Sequence, residues 1–533
     1  MIMSEIRETR ARRRAIIGAM NFDQDSCYRA VCARDARFDG CFFTGVKTTG
    51  IYCRPICPAP TPKRRNVIFF PSAAAAQMAG FRPCLRCRPE IAPELAAWRG
   101  TSNTISRALA LMEKGALDGA SVASLAERLG LGERQLRRLF RHHLGASPVA
   151  VAQTRRLLLA KQLIHETNLS MTQVALAAGF GSTRRFNETF KHMFQRQPAS
   201  LRHRGVAVSA PSAAGDISLT LSYRPPYDWD HMLAFLARRA IPGIETVTGA
   251  CYARTIEIDG QHGMIRVEPA KGDALRATIR FPRLAALPLI IARLRRVFDL
   301  AADPQAIAAH LAEDRALAAL IAARPGLRVP GGWDGFELAV RALLGQQISV
   351  AAARTLAGRL VGRFGTPLQV DRSEFETLTH VFPRPAALAK VDLAALGLPK
   401  ARTTALCALA ATVAADPLIF GPRATLEEAI ERLRGLAGIG EWTAQYIAMR
   451  ELREPDAFPA ADLGLMRAMG LLEGRQLSPK ELLTRAENWR PWRAYAAQHL
   501  WAAEASPTVA DRPLSRRAVP PAEKILCGAS AKA

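Results

Sequence analysis

Four cysteines fall in two close pairs, Cys53-Arg54-Pro55-Ile56-Cys57 and Cys84-Leu85-Arg86-Cys87. Four thiolates at those spacings can close a tetrahedral Zn2+ site in a small module. Zinc keeps sulfur as the thiolate at neutral pH, and the thiolate is the nucleophile. Such a site can be a purely structural knob, or it can react. A second chemical signal lies far downstream. In Phe458-Pro459-Ala460-Ala461-Asp462-Leu463 a lone carboxylate precedes an apolar run. Asp462 is placed to cap a helix, and a helix N-terminus favours the charged carboxylate. Ahead of it, Leu436-Ala437-Gly438-Ile439-Gly440-Glu441-Trp442 reads as a helix-hairpin-helix. The turn from Gly438 to Gly440 would present backbone N–H groups to DNA phosphates without reading sequence.

These residues need several separate scaffolds. A chain of 533 residues is long enough for about three or four domains. Its 73 Lys and Arg against 47 Asp and Glu give a net charge of +26, which favours a polyanionic partner, most simply nucleic acid. Ten cysteines at this length do not make a disulfide scaffold. Cys27, Cys32, Cys41, Cys251, Cys407 and Cys527 lack ligand spacing and read as buried apolar residues or free thiols. No apolar run suggests a membrane span. The charged stretch Met1–Arg14 has no apolar region of a signal peptide, and Met20 is an alternative start. The expectation is a cytoplasmic, reduced protein with one Zn2+.

The cysteine module occupies residues 20–95. A helical segment, residues 100–204, contains an internal repeat. Leu125-Ala126 leads through Gly130 and Gly132 to Leu136, Leu139 and Phe140; Val174-Ala175 leads through Gly179 and Gly181 to Phe186 and Phe190. Each unit reads as helix, glycine turn, helix, and a long helix from Pro148 to His165 joins them. The second helices expose Arg134, Arg137, Arg138 and Arg141 in one unit and Arg184, Arg185 and Lys191 in the other. A basic outer face suits the DNA major groove; two helical hairpins with solvated charges are the plain alternative. The small-residue stretch 205–215 reads as a tether. Alternating patterns at 217–221, 255–258 and 277–281 predict strands, and the pattern is helical from about Ala301 to Trp501. Residues 504–533 read as a disordered tail.

Residues 48–55 and 80–89 resemble the N-terminal zinc domain of the Ada family of bacterial adaptive-response proteins. That resemblance implies that Cys53 is both a zinc ligand and a methyl acceptor, and that Cys57, Cys84 and Cys87 complete the site. The paired units resemble the double helix-turn-helix of AraC-type activators, which follows the zinc module in Ada proteins. From about Ile217 to Trp501 the chain resembles the AlkA family of 3-methyladenine DNA glycosylases, in the blocks Tyr223–Trp229, Ala323–Gly331, Val340–Val350, Trp489–Tyr495 and His499–Trp501. This implies catalysis by Asp462, a base pocket of Trp442, Tyr446 and Trp501, and a wedge at Gln347, where AlkA carries an apolar residue. The fold class implied is multidomain α+β: a small zinc module, an all-α double helix-turn-helix domain, an AlkA-like α+β subdomain at 216–325, and an all-α helix-hairpin-helix glycosylase core at 326–503.

The resemblance also implies what is missing. Trp442 stands where bifunctional relatives carry a lysine nucleophile, so a monofunctional glycosylase without lyase activity is expected. The four-cysteine iron–sulfur motif and the Pro-Cys-His-Arg motif of O6-alkylguanine methyltransferases are absent. Methylation of Cys53 by a DNA methylphosphotriester would remove a negative charge and strengthen promoter binding. Arg54, Arg64, Arg82 and Arg86 are candidate phosphate contacts. Expected partners are alkylated and promoter double-stranded DNA and, at promoters, RNA polymerase, with the protein a monomer. The alternative is an alkylation-responsive regulator whose glycosylase-like half only binds DNA.

Overall fold

In the computed structural model, the described residues are 23–93, 103–113, 115–202, 216–369, 375–391, 396–421, 423 and 425–504. The alternative start at Met20, the tether, the tail and Cys527 lie outside them. Near the N-terminus, a helix at Gln24–Ala33 covers a four-stranded sheet. In that sheet Phe43–Val46 pairs antiparallel with Ile51–Cys53 and with Val67–Phe70, and Ile51–Cys53 pairs in parallel with Arg82–Pro83. Phe42, Phe43, Tyr52, Phe69, Phe70 and Phe81 are buried, so aromatic packing holds the small sheet beside its cysteines.

The internal repeat is present as two helical pairs, Val122–Arg128 with Glu133–Leu144 and Met171–Ala177 with Thr183–Phe194, joined by a helix at Pro148–Glu166. Leu136, Phe140, Phe186 and Phe190 are fully buried, as the four-residue spacing within each pair requires. Gly130 and Gly179 take left-handed φ values of 69° and 81°, the conformation that lets each turn close without a Cβ clash. The second pair does not stand apart. Its Phe186, Phe190 and Phe194 share one continuous apolar core with the sheet downstream of residue 216.

That sheet has five antiparallel strands, in the spatial order Ile217–Ser222, Ala274–Arg280, Gln261–Ala270, Cys251–Ile258 and Glu245–Thr248. The helix Trp229–Arg239 lies between the first and last of these in sequence. The helical part begins earlier than Ala301, with Leu287–Val297, and is not uniformly helical. Thr366–Pro367 pairs with His380–Val381, and a bridge from Gly243 to Leu378 lays this excursion on the sheet, where Leu378 packs with Ala253 and Met264. The excursion follows from sheet residues that need an apolar cover.

A polar knot fastens sheet to helices. Arg254 reaches Glu337 at 2.7 Å, and Arg341 reaches both Glu337 and Glu245. Burial alone would raise the Glu337 carboxyl, but Arg254 and Arg341 outweigh it and lower the group to about 2.

Two buried chains of polar contacts link the cysteine module to the rest. In one, Lys161 of the joining helix donates to the Cys84 carbonyl at 3.1 Å and to Glu90 at 2.6 Å. Arg88 pairs with Glu90 and Glu166, and Glu166 accepts from the Thr220 backbone at 2.9 Å. In the other, Arg54 donates to the Cys87 carbonyl and pairs with Asp39, whose own carbonyl accepts from Arg224 at 3.1 Å.

Candidate active sites and nucleic-acid interface

Cys53 ends the strand Ile51–Cys53, and the loops at 54–57 and 84–87 return the other three thiols to it. The four Sγ atoms lie within 4.8 Å of one another. The donor set fits zinc: four sulfurs, two of them buried, at tetrahedral-site spacing. Backbone N–H groups support the sulfurs, Arg54 N donating to Cys87 Sγ at 3.3 Å and Arg86 N to Cys84 Sγ at 3.4 Å. Hydrogen bonding to Cys53 lowers the Cys57 thiol to about 7 and lowers Cys84 further, while contact with neighbouring thiols pushes Cys53 and Cys87 up. Four such sulfurs are all thiolates together only around a cation.

Cys53, Cys57 and Cys84 face a cavity of about 500 Å3. Its other wall is not part of the cysteine module. Phe194, Arg196 and Leu201 close it, from the end of the second repeat. Arg82 and Arg86 also line it. The expectation for Arg54 needs correction. Its guanidinium is buried and committed to Asp39, so it braces the cysteine loop and is not presented to a phosphate. Arg64 pairs with Asp25 at 3.2 Å on the surface.

On the repeat, Arg134, Arg138, Arg184 and Arg185 are exposed on the second helix of their units. Arg137 is half-buried and pairs with Glu133 at 2.8 Å, and Arg184 pairs with Glu188 at 2.9 Å. Both pairs lie within one helix turn, and surface pairs of this kind hold the side chains only weakly.

In the helical core, Leu426–Arg434 and Glu441–Arg450 form the hairpin. Gly438 has φ 77°, and a Cβ there would lie 2.7 Å from that of Ala405; Gly440 caps the second helix. That helix carries Trp442 and Tyr446. Asp462 caps the helix Leu463–Glu473, as its place in the sequence predicts, with Oδ1 accepting from Leu465 N at 3.0 Å. Trp501 Nε1 donates to the same oxygen at 2.9 Å, and Trp442 Nε1 donates to Oδ2 at 2.8 Å. Two tryptophans from two helices thus aim one carboxylate.

Asp462, Trp442, Tyr446 and Trp501 line one cavity of about 470 Å3. The aromatic pocket is not a sandwich of Trp442 and Tyr446. Their rings stack on each other at 5.2 Å and 11°, leaving no room for a base between them. Arg450 lies 4.8 Å from the Tyr446 ring and 5.6 Å from the Trp501 ring. Burial raises the Tyr446 hydroxyl, but Arg450, Arg239 and Arg341 outweigh it and bring the group below its ordinary value. Gln347 does not line the cavity. It is exposed in the loop after Gly335–Leu344, at φ 61°, beside Gln346, which donates to the hairpin carbonyl of Gly438 at 2.9 Å.

Sequence reasoning missed Ile348 and Leu463, 36% and 68% exposed and adjacent in sequence to Gln347 and Asp462. Two large apolar side chains left in solvent next to a wedge position and a carboxylate were the available signal. It also missed Arg450, which carries no motif.

A thiol metal module, a double helix-turn-helix and a helix-hairpin-helix base-excision fold together define a DNA-binding repair and regulatory protein. Four family models match it: the metal-binding domain of Ada at 26–90, a helix-turn-helix domain at 125–204, the AlkA N-terminal domain at 218–334, and the HhH-GPD superfamily of base-excision DNA repair proteins at 340–494. A bifunctional transcriptional activator/DNA repair enzyme AlkA from Mycobacterium tuberculosis is 43% identical, over 95% of this chain and all of the relative. The chain belongs to this family of bifunctional transcriptional activators and DNA repair enzymes. Escherichia coli DNA-3-methyladenine glycosylase 2 is 38% identical over 54% of this chain and 97% of its own. Escherichia coli Ada is 32% identical over 37% of this chain and 53% of its own. Among the described residues no helix is long and apolar enough to cross a membrane.

Proposed function

We propose that the two cavities are two repair sites with separate chemistry. Zinc bound by Cys53, Cys57, Cys84 and Cys87 supplies thiolate character at neutral pH. Cys53 Sγ attacks the methyl carbon of a neutral methyl phosphotriester. The S–C bond forms, the C–O bond breaks, and the restored phosphodiester leaves as the anion, so no proton has to move. The step is stoichiometric because the thioether is stable. Loss of one negative charge near DNA favours binding through the helix-turn-helix pair, with Arg134, Arg137, Arg138, Arg184 and Arg185 at phosphates and bases. At promoters the protein acts as a monomer that contacts RNA polymerase, and it works in the cytoplasm.

The second site is a monofunctional 3-methyladenine-type glycosylase. A purine alkylated on a ring nitrogen carries positive charge and leaves without a strong general acid. Asp462 stabilises the oxocarbenium-like sugar and takes the proton of the attacking water. Trp442 and Tyr446, already stacked, offer one aromatic wall and Trp501 another, worth about 1–2 kcal/mol per good cation–π contact. The base must be extruded to reach them. Gly438 and Gly440 hold the backbone phosphates, and Gln347, flanked by the exposed Ile348, fills the gap in the stack.

The observation that carries this reading is the convergence of Trp442 Nε1 and Trp501 Nε1 on Asp462 inside the cavity. The test is release of 3-methyladenine from alkylated DNA, read beside mass spectrometry of the protein after the same incubation. The expected result is base release with repeated turnover and one methyl group on Cys53. DNA binding without base release would instead make this half a binding platform.

A further inference from the structure

The cavity beside Cys53 is lined by charge of one sign. Arg54, Arg82, Arg86 and Arg196 line it, and none of its lining residues is Asp or Glu. The glycosylase cavity, by contrast, is lined by Asp462, Glu245, Glu337 and Glu504 as well as by arginines. Arg54 is committed to Asp39. Arg86 and Arg196 are exposed and Arg82 is half-buried. Among the described residues none of these three is held in an ion pair. A cavity with cationic walls and no acidic ones suits an anion, or a group that becomes one.

Arg196 differs from the other two in origin. Arg82 and Arg86 flank Cys84 inside the cysteine module, whereas Arg196 comes from the second repeat. The helix Thr183–Phe194 ends where Gln195 turns to φ 54° and donates its N–H to the Lys191 carbonyl. Arg196 follows at once, and the turn Pro198–Leu201 comes after it. Phe194 and Leu201, on either side, are buried in the core shared with the five-stranded sheet. The backbone that carries Arg196 is thus anchored on both flanks, and Arg196 is the one charged side chain among the repeat's lining residues.

A methyl phosphotriester is neutral. As the bond from Cys53 Sγ to the methyl carbon forms and the C–O bond breaks, the electron pair of the broken bond goes to the phosphate oxygen. Negative charge on the phosphate therefore grows through the transition state. A guanidinium beside that phosphate holds the transition state more tightly than the substrate. Its planar fork also matches two phosphate oxygens. We propose that Arg196 is a catalytic residue of methyl transfer, supplied by the second repeat, that binds the phosphate as it loses its methyl group. The methyl-transfer site is then composite, and the cysteine module holds only part of it.

This rests on the methyl-acceptor reading of Cys53, and the experiment separates the two. The full chain is given either a saturating duplex with one methyl phosphotriester or methyl iodide, which brings a methyl group and no phosphate. Methylation of Cys53 is followed by mass spectrometry under single turnover. In Arg196→Gln the saturated rate with the duplex is expected to fall at least tenfold, as on removal of one donor to developing charge. The rate with methyl iodide and the zinc content should stay unchanged. Arg196→Lys keeps a point charge without the fork and should recover part of the loss. An unchanged saturated rate in Arg196→Gln overturns the assignment, as does a deficit that more duplex removes. A fall shared with methyl iodide, or accompanied by loss of zinc, makes the residue structural and also overturns it. No transfer from the duplex to the unmodified protein overturns the methyl-acceptor reading, and this one with it.

Discussion

The Arg107 guanidinium meets the Glu454 carboxylate at 2.6 Å, with the side chains only 4% and 5% exposed. Arg107 belongs to the helix Asn103–Glu113 that opens the helix-turn-helix half, and Glu454 follows the hairpin helix of the glycosylase half. The two halves are therefore joined by a desolvated ion pair as well as by chain. Removing one partner strands a buried charge, at a cost of about 3–5 kcal/mol. Arg107→Met is expected to lower the midpoint of urea unfolding sharply. Glu454→Met added to it should restore much of the loss. A double-mutant cycle by chemical unfolding checks both values.

Asp462→Asn loses the charge and replaces one carboxylate oxygen with an NH2 donor, so Trp442 and Trp501, which donate to different oxygens of Asp462, cannot both keep their acceptor. Release of 3-methyladenine should fall by about 100- to 1000-fold, the usual effect of removing charge stabilisation from a transition state. Affinity for DNA containing an abasic-site analogue should change far less. Single-turnover rates and fluorescence anisotropy measure the two effects.

Cys53→Ala should abolish methyl uptake, read as the loss of the mass increase after incubation with methylated DNA. Cys84→Ala removes a ligand whose own carbonyl holds Lys161, so its effect should travel further. Zinc content should fall, and the thermal transition of the whole chain should fall with it. Chelation of zinc from the unmodified protein should reproduce that shift. Metal analysis and calorimetry test the pair.

Glu337, held at about 2 by Arg254 and Arg341, predicts an acid weakness between sheet and helices. Its folded value lies below the unfolded value near 4.5. Its stabilisation is complete above about pH 4.5 and is lost as pH falls toward 2. The join between sheet and hairpin core should loosen in that window. Glu337→Gln, which cannot titrate, should be less stable at neutral pH and show a shallower acid slope. Unfolding followed across pH from 7 to 2 gives both.

Much of the site was legible in sequence because its chemistry depends on local spacing. The paired cysteines, the Gly438-Ile439-Gly440 turn and the capping position of Asp462 are each set by a few neighbouring residues, and each appears where its spacing placed it. Arg54 was misread because its partner Asp39 lies in a separate segment of the module, and a sequence does not show which arginines are buried. The Trp442 and Tyr446 stack was hidden for a similar reason. A four-residue spacing puts both rings on one helix face but does not say whether they part to admit a base. The common core of the second repeat with the five-stranded sheet escaped notice because a small-residue tether suggested independence where the apolar faces on either side are complementary.

The cavity beside Cys53 is closed by Phe194, Arg196 and Leu201, at the exit of the helix that carries Arg184 and Arg185. The cysteine site and the second repeat therefore line one cavity. A group added to the Cys53 sulfur would enter a space that the end of the second repeat encloses.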